Sequence, residues 1–262
     1  MMPGLLGGGA NVDQFSIWDN LFDGFNDTTG RTVNNTLTNA HVSVVLGQSL
    51  TCNDIGVAHT PSNTGVVQNF NLYTGTIYNL ADPVLGAQGT GGSFMGYLGD
   101  ALINASVFAR WVCCPIGIPG TSVLDWSSKG VLNHRLLAAC RRVRSVVGRW
   151  PDSILWEQGF TDNVNGTSQT DYTSRLLDII ASAYGIGCDS PWLVAQESWN
   201  NGATSSAVRA AQAAVVDSVT VFSGPDTDTL NNTYRNADGI HFNTSGQSAV
   251  ATLWKNAMED VF

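Results

Sequence analysis

Five short apolar runs, each followed by a longer stretch of helical period, constrain the fold of this chain more than any other feature of its sequence. The runs are Val42 to Leu46, Trp111 to Ile116, Ser153 to Trp156, Trp192 to Ala195 and Val219 to Phe222. A strand needs such a near-continuous run when both faces of its sheet are covered, whereas a half-solvated strand alternates. Between the runs the period changes. Leu132, Leu136, Cys140, Val143 and Val147 recur at three- and four-residue intervals, while Arg135, Arg141, Arg142 and Arg144 fall mainly elsewhere on the wheel, which predicts an amphipathic helix. Helical readings also hold for about residues 93 to 107, 171 to 184 and 205 to 216. The last helix carries Val250, Leu253, Trp254 and Ala257 on one face after a Thr244/Ser245 cap. Strands alternating with helices predict an α/β fold, a doubly wound three-layer α/β/α sandwich around a five-stranded, mostly parallel central sheet.

Residues 1–40 do not share this pattern. They are rich in Gly, Asn, Asp and Thr, hold an aromatic cluster at Phe15, Trp18, Phe22 and Phe25, and sustain neither period. They are expected to form an irregular N-terminal arm ahead of one folded domain at 41–262. The arm's aromatics could dock on that domain or on another subunit, so an oligomer or assembly contact through residues 1–40 stays open.

Composition narrows the partners. Twelve Lys and Arg stand against 21 Asp and Glu, a formal charge of -9, and no basic run could track a phosphate backbone or an anionic membrane. Nucleic acid and membrane are therefore not expected partners. Met1 to Gly9 has no basic n-region or long apolar h-region, and no stretch reaches the roughly eighteen apolar residues of a membrane helix. A soluble protein is expected, with an extracellular or phage-particle location left open. Cys52, Cys113, Cys114, Cys140 and Cys188 make an odd set without a CxxC pair, so no zinc site is expected. They read as mostly buried small apolar residues, with one disulfide through Cys52 or Cys188 as the alternative.

In a doubly wound sheet ligands bind beyond the carboxyl ends of the strands, so reactive side chains just after each run carry the functional reading. The first run ends in Leu46-Gly47-Gln48-Ser49-Leu50, placing a serine at a strand end before a turn whose amides could stabilise an oxyanion. Near the chain's end, Asp238-Gly239-Ile240-His241-Phe242 puts a carboxylate and an imidazole on one short loop, as base and orienter. The third apolar run stops at Gln158, a side-chain amide, and Gly120 follows the second, where a backbone N–H could approach a ligand. Each feature alone has a structural explanation in turns and caps. Their common position after separate strands favours chemistry.

These residues also resemble a family. Gly47-Gln48-Ser49, Gly120-Thr121-Ser122 with Trp126, Trp156-x-Gln158-Gly159 and Asp238-Gly239-x-His241-Phe242 are similar to the motifs of the SGNH hydrolases, in the sialate O-acetylesterase and acetylxylan esterase branch. The likeness spans about residues 41 to 260 and implies a flavodoxin-like SGNH catalytic domain. It implies Ser49 as nucleophile, His241 as general base and then acid, and Asp238 as its orienter. The oxyanion hole would comprise the amides of Ser49 and Gly120 and the side chain of Gln158, with Asn163 as the alternative amide. Gln48, Leu50, Trp126 and Phe160 are the implied pocket residues. No metal or cofactor is implied.

Departures bear on specificity. Leu50 stands where the family has Asn, Phe160 where it has an acid, and Gly91-Gly92-Ser93-Phe94 lacks the family's Pro and Glu. The expected activity is removal of short acyl groups, acetyl foremost, from carbohydrate hydroxyls of a small-molecule or polysaccharide ester. A broad short-chain esterase of lipase-like kind and a carbohydrate-binding or structural module of a phage tail or surface assembly are the alternatives. A paired-carboxylate glycosidase would draw on Glu157, Asp162, Glu197 and Asp125 but leaves the Ser and DxxH elements without a reason.

Overall fold

The computed structural model describes residues 24–262. Its strands are β1 (Ala40–Gly47), β2 (Val67–Phe70), β3 (Ile77–Asn79), β4 (Arg110–Pro115), β5 (Ser153–Glu157), β6 (Trp192–Gln196) and β7 (Val221–Asp226). They form one sheet in the order β3-β2-β4-β1-β5-β6-β7, in which β3 runs antiparallel to β2 and all other neighbours are parallel. The α/β architecture is as expected, but the sheet has seven strands rather than five. The two additions had no apolar run to announce them. β2 reads Val-Gln-Asn-Phe and β3 only Ile-Tyr-Asn. The buried polar residues of β2 are held by hydrogen bonds, as burial demands: Gln68 Nε2 donates to Asn34 O at 2.5 Å, and Asn69 Oδ1 accepts from Leu85 N at 2.6 Å.

The helices are α1 (Met95–Asn104), α2 (Val123–Trp126), α3 (Asn133–Val147), α4 (Phe160–Asn165), α5 (Gln169–Gly185), α6 (Ser206–Ala214) and α7 (Thr244–Glu259). Two separate cores explain the continuous apolar runs. Val42, Val44, Leu46, Ile154 and Trp156 pack on one face with Leu136, Cys140, Ile179 and Val208, from α3, α5 and α6. Val45, Leu155 and Leu193 pack on the other with Leu98, Val250 and Trp254, from α1 and α7. Each such fully buried side chain contributes on the order of 2 kcal/mol, so neither face of a central strand tolerates a polar substitution without loss. The cap of α7 lies one residue earlier than read from the sequence. Asn243 accepts the Gly246 N–H at 3.0 Å, and Thr244 is already helical.

The described part of the arm is seated on its own domain. Val33 bridges Tyr78 of β3, Asn34 N donates to Ile77 O at 2.8 Å, and Phe25 N donates to Ala87 O at 2.7 Å. Phe15, Trp18 and Phe22 lie outside the described residues. All five cysteines are buried free thiols, so the alternative disulfide does not form. Among the described residues no helix is long and apolar enough to cross a membrane. Central β1 has β4 on one side and β5 on the other, and its carboxyl end opens at the point where the strand order diverges.

Candidate active site

Ser49 owes its position to a glycine. Gly47 has φ +149°, and a Cβ there would stand 1.9 Å from Glu157 O, so only glycine lets β1 close on β5 at this point. Gln48 N then donates to Glu157 O at 3.3 Å, and the chain turns into a 3-10 helix over Ser49–Thr51. Ser49 is 6% exposed at the end of the central strand.

The Asp238–His241 loop closes on itself through Gly239 N to Asn236 O at 2.9 Å and Asn236 N to His241 O at 2.7 Å. Asp238 Oδ2 lies 2.8 Å from His241 Nδ1, and Asp238 Oδ1 accepts the N–H groups of Ile240 at 2.8 Å and His241 at 3.0 Å. Partial burial pushes the Asp238 carboxyl up, but the bonds from Ile240 and His241 outweigh it and hold the group below its ordinary value. An ionised Asp238 fixes the proton of the imidazole on Nδ1 and leaves Nε2 as the acceptor, the tautomer a general base requires.

The segment leaving Ser49 meets this loop directly. Gly56 N donates to Phe242 O at 2.8 Å, and Asp54 lies in the field of His241, which lowers its carboxyl while burial, the larger effect, raises it. Gln247 of α7 locks the same segment, donating to Ile55 O and Val57 O, each at 3.1 Å, and to Ser93 O at 2.9 Å. Ser93 belongs to the Gly91–Phe94 stretch, which therefore serves as a brace. The structure thus places the segment that leaves Ser49 against the loop of Asp238 and His241, at the carboxyl end of the sheet.

Gly120 follows β4 with φ +69°, exposed, and with no atom within 4 Å of where a Cβ would stand, so its backbone is open to a ligand. Gln158 is placed differently from the expectation. It is fully buried, and its amide donates to Thr121 O at 3.0 Å and Asp162 Oδ2 at 2.7 Å, so both protons are committed and none is free for an oxyanion. Its contribution is to hold Thr121, the residue after Gly120. Asn163 is partly exposed and donates to Ser198 O at 2.6 Å.

The expected pocket is also corrected. Gln48, Leu50 and Trp126 are 0%, 1% and 0% exposed and support the site from beneath, and of the four only Phe160 reaches the surface. Gln48 Oε1 accepts Thr161 N at 3.2 Å, tying the Ser49 turn to α4, and Trp126 Nε1 donates to Thr121 Oγ1 at 3.0 Å. Of the acids considered for a glycosidase, Glu157, Asp162 and Glu197 are buried and hydrogen-bonded inward, and Asp125 caps α2 by accepting Ser122 N at 2.8 Å. None forms an open pair. His41 is stacked on Phe108 and bonded to Ser153 Oγ at 3.0 Å in the interior, where burial lowers it to about 4.

Sequence reasoning gave no role to Trp199 and Arg235, and it weighed Asp162, Glu157 and Glu197 only as glycosidase acids, whereas all five support the site from within. Burial raises Glu157 to about 7, against which its bond from Trp254 Nε1 at 2.9 Å works only partly. A raised carboxyl stabilises the fold below its unfolded value near 4.5, and this contribution fades as pH rises through about 7. Glu157→Gln is accordingly expected to gain on the native chain between pH 5 and pH 8. Thermal unfolding at the two pH values checks this, and a melting difference that stays constant would contradict it.

The sequence matches no protein-family model and no curated protein. Solved structures do match. One is a protein from Arabidopsis thaliana, at 16% identity and TM-score 0.66, covering 86% of this chain and 99% of that one. Another is a catalytic mutant of Axe2, an acetylxylan esterase from Geobacillus stearothermophilus, at 13% identity and TM-score 0.54, covering 83% and 94%. NanS matches at 11% identity and TM-score 0.54, covering 84% and 97%. The chain has the fold of these proteins. The motif resemblance read from the sequence is thus accompanied by a fold shared with an acetylxylan esterase and with NanS.

Proposed function

We propose that this protein is a serine esterase that removes short acyl groups, chiefly acetyl, from carbohydrate hydroxyls through an acyl-enzyme on Ser49. The observation that carries the reading is the 2.8 Å Asp238–His241 pair on a loop joined to the Ser49 segment at the carboxyl end of the central strand. Ser49 Oγ attacks the ester carbonyl as its proton passes to His241 Nε2, and the imidazolium formed is stabilised by Asp238. The N–H groups of Ser49 and Gly120 take the oxyanion. Collapse breaks the ester C–O bond, and the leaving sugar oxygen takes the proton from His241 and departs as a hydroxyl. Water then repeats the sequence on the acyl-enzyme, releasing acetate and restoring Ser49.

Phe160 and the 56% exposed Val57 give a specific reason for a second reading, a broad short-chain esterase with little sugar selectivity. Initial rates on acetylated xylan and an O-acetylated sialate, compared with p-nitrophenyl butyrate, separate the two. Faster release of acetate from a sugar is expected, and a clear preference for the sugar-free butyrate would favour the second reading.

A further inference from the structure

Close to the proposed base–orienter loop lies a cation that is almost wholly buried, Arg235, at 4% exposure. Burying a guanidinium costs several kcal/mol unless its donors and its charge are matched. Its donors are matched by main chain. Nε donates to Leu230 O at 3.0 Å, Nη2 to Thr227 O at 3.0 Å and Nη1 to Ile240 O at 2.8 Å. Two of these carbonyls belong to the segment following β7, and the third lies between Asp238 and His241. The guanidinium also covers the Phe242 ring at 4.0 Å. Its charge is felt by Glu157, Glu197 and Asp228, at or just beyond the ends of β5, β6 and β7, and by Asp238 itself.

A second donor completes the arrangement. Trp199, after β6, donates from Nε1 to Gly239 O at 3.0 Å and stacks 5.6 Å from the guanidinium carbon of Arg235. Both carbonyls between the carboxylate and the imidazole, those of Gly239 and Ile240, are therefore held by side chains that are themselves anchored. We infer that Arg235 is a positioning residue for the Asp238–His241 pair, its planar fork clamping their loop onto the carboxyl end of the sheet. This rests on the triad proposed above. Lysine could supply the charge but not three donors in one plane, so shape as well as charge is required.

The full-length protein tests this with Arg235→Lys, Arg235→Met and Trp199→Phe, assayed on p-nitrophenyl acetate together with Ser49→Ala, each with its unfolding midpoint. Arg235→Lys is expected to fold and to lose roughly 10-fold or more in kcat while KM changes less than about threefold, because a misplaced base slows chemistry without altering binding. Trp199→Phe, which frees one carbonyl only, is expected to show a smaller loss of the same kind, about threefold. If Arg235→Met does not fold, Arg235→Lys decides. A folded Arg235→Lys variant with native kcat, or one whose only change is a lower unfolding midpoint, overturns the inference. An inactive Ser49→Ala beside a fully active Arg235→Lys removes the clamp alone. Full turnover by Ser49→Ala removes the triad, and the clamp with it.

Discussion

Ser49→Ala is expected to lower kcat for p-nitrophenyl acetate by roughly 10³-fold or more, and His241→Ala by a similar factor, with little change in the folded structure. Ser49 ends a strand turn fixed by Gly47 and main-chain bonds, none of which uses its hydroxyl. Removing Oγ therefore deletes the nucleophile without releasing the turn. His241 is likewise held by its N–H to Asp238 and its carbonyl to Asn236, both backbone groups that survive truncation of the ring. The two losses should not add, because nucleophile and base act as one unit and either deletion leaves only the residual stabilisation by oxyanion donors and binding. A fluorophosphonate followed by peptide mapping gives an independent readout, since only an activated serine reacts quickly. Labelling at Ser49 that disappears in His241→Ala is the expected result. Native turnover in either variant, or labelling at a different serine, would sink the assignment.

What could be read from the sequence divides along physical lines. Four central strands and the long helices were legible because strands covered on both faces must be continuously apolar and helices between them must repeat near 3.6, whereas edge strand β7 was found only in part, its predicted run starting at exposed Val219 ahead of the strand. β2 was not legible, since its burial is secured in part by side-chain to main-chain hydrogen bonds at Gln68 and Asn69, and β3 was not because it is only three residues long. The Asp238–His241 pair was legible because both members sit on one loop and their spacing alone brings them into contact. The roles of Gln158 and Trp126 were not, because which way a buried polar side chain turns depends on where its partners lie in the folded chain. Gln158 turns inward to nearby Asp162 and to distant Thr121, and Trp126 turns back to Thr121, contacts that neither the helical nor the strand period announces. Arg235 shows the same limit from the other side, as an arginine in a polar loop that the fold encloses.

Asp162 illustrates how the site joins near and distant contacts at one buried group, and its removal carries the largest expected effect on stability. The residue is 1% exposed, and its two oxygens join three separate segments. Oδ2 accepts Val123 N at 2.8 Å, just beyond the Gly120 turn, and Gln158 Nε2 at 2.7 Å, while Oδ1 accepts Thr167 Oγ1 at 2.7 Å. Asp162→Ala would leave a main-chain N–H, an amide and a hydroxyl without a partner in a region closed to water. Charge-assisted bonds lost in this way cost about 3 to 5 kcal/mol in total, more than any single apolar contact of the same size. Asp162→Asn keeps the shape but turns one acceptor into a donor facing an N–H or a hydroxyl, so it should recover only part of the loss. Activity should follow at temperatures where the variant is still folded, because Gln158 and Val123 together fix the turn that presents Gly120. A drop of roughly 10-fold in kcat is expected from the loosened turn. Denaturant unfolding and kcat measured on the same preparations decide the matter. An Asp162→Ala protein within about 1 kcal/mol of the native chain and equally active would show that the carboxylate is not what holds the Gly120 turn against β5.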